Sequence, residues 1–154
     1  MSAPSLTLAD LNRMNRTGFA TMLGFAFELS PWVVQRAYDA APEADKLALI
    51  RAHPELAGKA AIAKTLTAES NAEQASAGLD RLTPEEFERF HALNAAYGER
   101  FGFPFIIAVR LNDKTSILAA MQARLAHDEP AEIAEAIKQI GLISKLRLLD
   151  AVTQ

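Results

Sequence analysis

Thr83-Pro84-Glu85-Glu86 is followed by Phe87, Phe90, Leu93, Asn94 and Tyr97 along one helical face. A threonine three residues ahead of a glutamate forms a capping box, which satisfies two N–H groups that a helix start otherwise leaves orphaned. Apolar residues spaced three and four apart then share one side of the helix that follows. The same punctuation recurs along the chain. Thr7 caps a segment with Leu8, Leu11 and Met14 on one face, and "TGFATMLGFAFE" keeps Phe19, Met22, Leu23 and Phe27 at helical spacing. Ser30 and Pro31 open a helix in "SPWV", and "APEADKLALIRAH" is opened by Pro42 and closed by Pro54. Ser70 and Glu73 in "SNAE" read as another capping box, with Ser70 at the N-cap. Two further helices are expected over 114–126 and 130–151, with Gly141 a weak point in the latter. Only "FPFIIAV" has strand-like composition, and one strand cannot make a sheet. The expectation is an all-α protein, one domain over residues 1–154 with about seven or eight helices.

The chain has 154 residues, enough to bury a core without covalent staples. A net charge of −3 gives no reason to expect nucleic acid or an anionic membrane surface as partner. The absence of cysteine excludes disulfides, thiolate catalysis and sulfur-ligated metal. Histidines stand only at 53, 91 and 127, without i, i+4 pairing, so no metal site is expected; HExxH, Gly-rich phosphate loops and the G-x-S-x-G elbow are absent. No run reaches the length of a membrane helix, the start lacks a secretory pattern and "DAVTQ" is no peroxisomal address, so a cytoplasmic protein is expected.

What remains is a small set of polar residues in apolar surroundings. His53 follows "LALIRA" and precedes Pro54, at a helix C-terminus. There it is either a half-solvated side chain favoured by the helix dipole or a general acid/base. Ser70 and Glu73 are structural as a capping box, yet a helix N-terminus also suits polar ligands, and Gln74 beside them offers an amide. The stretch Phe105–Val109 supplies core side chains and, lacking a sheet partner, backbone groups that need partners of some kind. Arg110 and Arg147 are either surface residues or carboxylate anchors.

"SPWV", "LIRAHPELAGKAA", "LTAESNAEQASAGLDRL", "LNAAYGERFGFPFIIAVR" and "RLAHDEPAEIAEAI" through "LRLLD" run in this order from about Leu8 to Asp150. In combination they resemble the family of 2-oxo-4-hydroxy-4-carboxy-5-ureidoimidazoline (OHCU) decarboxylases, which act in uric acid degradation and yield S-allantoin. The resemblance implies an all-helical, homodimeric, cofactor-free carboxy-lyase acting on a small ureidoimidazoline. It puts the catalytic histidine on His53 and its acidic partner on Glu73. Substrate contacts fall on Pro54, on Ser70, Asn71, Ala72, Glu73 and Gln74, and on Phe105, Ile106, Ile107, Ala108 and Val109, with Arg110 and Arg147 as the arginines of the pattern. One departure stands out: the family has an Arg-Pro-Phe loop and a further helical stretch before the His-Pro block, where this chain has only "AYDAAPEADK". The other readings of such a chain are a helical ligand-binding or adaptor protein, or a decarboxylase of a related ureido compound.

Overall fold

In a computed structural model of the chain, residues 6–26, 46–58 and 66–153 are described. They hold α1 (Leu8–Arg13), α2 (Arg16–Leu23), α3 (Lys46–Arg51), α4 (Ala68–Ser76), α5 (Pro84–Phe101), α6 (Lys114–Arg124) and α7 (Glu129–Ala151). Single 3₁₀ turns follow α2 at Gly24–Ala26 and precede α6 at Val109–Leu111. Two-residue strands, β1 (Leu6–Thr7) and β2 (Val152–Thr153), pair in parallel and tie the start of α1 to the end of α7. The fold is all-α, as expected. The helix starts read at Ser30 and Pro42, and Phe27, lie outside the described residues.

The helix ends follow the cap chemistry. Thr7 and Thr83 each accept a hydrogen bond from the backbone N–H three residues on, and Asp10 and Glu86 return the bond to complete both capping boxes. Gly102, at φ 71, closes α5 in the left-handed region, where a side chain would be strained. Helix α7 runs unbroken through Gly141, so the expected weak point is absent. One cap differs from the reading above: α4 begins one turn earlier, with Thr67 as N-cap accepting from the Ser70 amide at 3.3 Å. Starting there turns Ser70 and Glu73, three apart, to the same side of the helix and frees both from capping.

The core centres on Ile50, Phe90, Tyr97, Phe105, Ile117, Met121 and Ile140, all essentially without solvent exposure. Tyr97 meets Phe105 edge-on, with ring centroids 5.4 Å apart at 90°. A smaller cluster around Ala20 and Leu23 seats α2 against Leu148 of α7. The segment from Phe103 to Ala108 forms no strand; it runs through the core as irregular chain between α5 and the second 3₁₀ turn. No helix among the described residues is long and apolar enough to cross a membrane.

Candidate active site

His53 ends the last turn after α3, where its amide donates to the Ile50 carbonyl at 3.2 Å. Pro54 prevents the helix from continuing. The chain then turns sharply: Ala57 has φ 52, a backbone region that non-glycine residues seldom occupy. Two side chains hold this turn in place. Asn94 donates from Nδ2 to the Leu56 carbonyl at 2.8 Å, and Gln74 Oε1 accepts from the Ala57 amide at 3.0 Å. The loop carrying His53 is thus fastened to α5 and α4, and the imidazole is 8% exposed.

The loop, α4, the Phe105–Val109 segment and α7 enclose a cavity of about 40 Å³. His53, Pro54, Ser70, Glu73, Gln74, Phe105, Ile106, Ile107, Val109 and Arg147 line it, together with Leu56 and Ile143. Arg147 Nε and Nη2 each donate to a Glu73 carboxylate oxygen at 2.8 Å, a bidentate pair, and Nη2 also reaches Ser70 Oγ at 3.2 Å. Arg147 Nη1 donates to the Phe25 carbonyl at 3.0 Å and Ser144 Oγ to that of Ala26 at 3.0 Å, so α7 satisfies carbonyls at the end of the α2 segment. Beyond the Glu73–Arg147 pair lies a roomier recess of about 420 Å³, which both residues also line.

Four residues from the sequence reading lie elsewhere. Arg110 pairs with Asp150, Nη1 to Oδ2 at 2.7 Å, in the outer recess, and Ala72 lines that recess too. Asn71 donates to the Leu66 carbonyl at 3.0 Å. Ala108 is buried, and its amide donates to Gln139 Oε1 at 2.9 Å. Leu56 and Ile143 escaped the sequence reading because nothing distinguishes them from other core aliphatics.

A buried polar network behind the cavity wall was also missed. Glu132, with no exposure, accepts from Tyr97 Oη at 2.5 Å and from Arg124 Nε at 2.7 Å, and Arg124 Nη2 also contacts it. His127 Nδ1 lies 2.9 Å from the other carboxylate oxygen. Burial, and then the hydrogen bond to the Glu132 carboxylate, push the Tyr97 phenol well above its ordinary range, so Tyr97 stays protonated and remains the donor. Arg124 Nη1 donates to the Ile106 carbonyl at 2.7 Å, and its guanidinium lies 4.3 Å from the Phe105 ring centroid. Arg124 thereby gives the Ile106 carbonyl the partner that no sheet supplies.

The helical frame carries a cavity that gathers an imidazole, a carboxylate, a guanidinium and a carboxamide against an apolar wall, the kind of lining a small-molecule enzyme site has. Comparison with known proteins names the kind. The family model for OHCU decarboxylase matches residues 34–149. The 2-oxo-4-hydroxy-4-carboxy-5-ureidoimidazoline decarboxylase of Haloferax volcanii is 37% identical over an alignment covering 94% of this chain and 95% of its own. That of Halalkalicoccus jeotgali is 36% identical, covering 93% and 90%. A crystal structure of (S)-allantoin synthase superimposes with a TM-score of 0.71 at 29% identity, over 96% of this chain and 54% of that longer one. The chain belongs to the OHCU decarboxylase family of carboxy-lyases.

Proposed function

We propose that this protein decarboxylates OHCU to S-allantoin in uric acid degradation without a cofactor, with His53 as general acid/base and Glu73 as its partner. The observation that carries the reading is the convergence of His53, Glu73, Gln74 and Arg147 on one cavity, from segments remote in sequence. The substrate bears a carboxylate and a hydroxyl on one ring carbon, next to a ring C=N. When the bond to the carboxylate breaks and carbon dioxide leaves, the electron pair moves into that C=N and the ring nitrogen takes up a proton, giving an enol. The enol hydroxyl then gives up a proton as the carbonyl forms, and the neighbouring carbon takes one on a single face. His53 is the group suited to this proton traffic near neutral pH. The ring system itself delocalises the charge, so no separate electron sink is required of the protein.

Arg147 suits the substrate carboxylate, since a guanidinium fork binds carboxylates at two points. That fork is engaged by Glu73. A bound carboxylate competes for it and releases Glu73 to orient the imidazole or accept a ureido N–H. Because Arg147 and Glu73 line both spaces, loosening their pair also joins the narrow cavity to the outer recess. With Gln74 Oε1 held by the Ala57 amide, its NH₂ group is what it offers a ligand. The same reading has the enzyme working as a homodimer in the cytoplasm, which light scattering and cell fractionation test.

The deciding experiment is chiral detection of allantoin from freshly generated OHCU, with and without the protein. An excess of the S enantiomer formed faster than the spontaneous background is expected. Racemic product at the background rate contradicts the proposal.

A further inference from the structure

The cavity wall from Phe105 to Val109 contributes four lining side chains, yet only Val109, at the start of a 3₁₀ turn, belongs to a regular element that would fix its depth. Its backbone is instead fastened by side chains that do not line the cavity: Asn112 donates to the Ala108 carbonyl at 3.0 Å, and two more reach in from neighbouring helices. Arg124 of α6 donates to the Ile106 carbonyl at 2.7 Å, and Gln139 of α7 accepts from the Ala108 amide at 2.9 Å. Each fastening side chain is itself restrained. Arg124 is held by the enclosed Glu132 and stacked over Phe105, while Gln139 donates from Nε2 to Glu135 Oε1 at 2.7 Å. The two contacts bracket Ile107, and a shift at either alters how far Ile106, Ile107 and Val109 reach toward His53.

We propose that Arg124 and Gln139 are positioning residues for the decarboxylation, setting the register of the wall against which the substrate ring is held. The proposal rests on the function argued above. Neither residue touches the reacting atoms; each acts through one backbone group of the wall. Their effect is felt in geometry, where a displacement of about 1 Å costs on the order of a hundredfold in rate. It is also felt in stereocontrol, because a ring free to rock exposes both faces to protonation.

Gln139 gives the cleaner test, since it is only half-buried and its replacement leaves the Arg124–Glu132 pair intact. Gln139→Met keeps length and removes the acceptor, whereas Gln139→Glu, made together with Glu135→Gln so that no second carboxylate faces it, keeps an acceptor oxygen. Turnover, enantiomeric excess of allantoin and amide hydrogen exchange over residues 105–109 are compared with wild type. The expected result is a kcat at least about tenfold lower in Gln139→Met, with eroded S excess, faster exchange at Ala108 and recovery in Gln139→Glu with Glu135→Gln. Once the spontaneous racemic background is subtracted, enantiomeric excess does not depend on how much protein is folded, so a merely structural role leaves it unchanged. Wild-type stereoselectivity with wild-type exchange in Gln139→Met overturns the proposal. If wild type itself forms no S-allantoin, the functional reading fails separately. Exchange then decides alone whether Gln139 holds the wall: faster exchange at Ala108 supports it, and unchanged exchange overturns it.

Discussion

Among the described residues, two arginine–glutamate pairs are nearly buried and differ in their surroundings. In one, Arg124 and Glu132 are 8% and 0% exposed at their side chains, and Glu132 also receives Tyr97 and His127. In the other, Arg147 and Glu73 are 4% and 12% exposed and form the partition between a cavity and an outer recess. Burying a charge pair is costly, and the cost is recovered only when the remaining lone pairs and protons find partners. The enclosed pair finds most of its partners within the protein, from Tyr97, His127 and the Ile106 carbonyl, and serves as scaffold. The cavity pair has a ligand-accessible side, so its partners are exchangeable. The same two residue types therefore hold the wall in one region and, in the proposed reaction, meet the substrate carboxylate in the other.

Glu132→Leu carries the largest expected effect on the fold. It strands Arg124 in the core, a loss of about 3–5 kcal/mol, read in thermal melts as a fall of about 10 °C. Combining it with Arg124→Met should recover much of that stability, because removing both charges eliminates the stranded one. A single substitution as stable as wild type would show that the pair is not the scaffold described. Glu73→Gln sharpens the contrast from the other side. It is expected to lower kcat by about a hundredfold while shifting the melting temperature by only a few degrees, whereas equal activity would remove Glu73 from the chemistry. Thr67→Ala has the smallest effect, about 1 kcal/mol of stability with unchanged kcat. A neutral result in the same melts would return the cap of α4 to Ser70.

How far the sequence could be read follows from the range of the interactions. Capping boxes at Thr7 and Thr83 are local, span three residues and were legible. At α4 two overlapping signals compete, Thr67 with Ser70 and Ser70 with Glu73, and local chemistry alone does not rank them. Tertiary structure decides: beginning at Thr67 turns Ser70 and Glu73 toward Arg147, far along the chain. The resemblance had already brought the lining residues together as a list. It carried no sign of what fastens them. Asn94 read only as a position on a helix face, and no local pattern marks Arg124, Glu132 or Gln139. Their partners are backbone groups or side chains that only the folded chain brings near. Arg110 and Arg147 looked equivalent in sequence; the ion pair with Asp150 separates them by holding Arg110 in the outer recess.

The central claim concerns the imidazole of His53, and His53→Asn tests it most directly. The substituted protein is first checked for wild-type helical content and melting, then assayed for turnover and product chirality from fresh OHCU. The account predicts an intact fold, a rate lower by about 10² to 10⁴, and allantoin that is nearly racemic because it arises spontaneously. Wild-type turnover with undiminished S excess would contradict it.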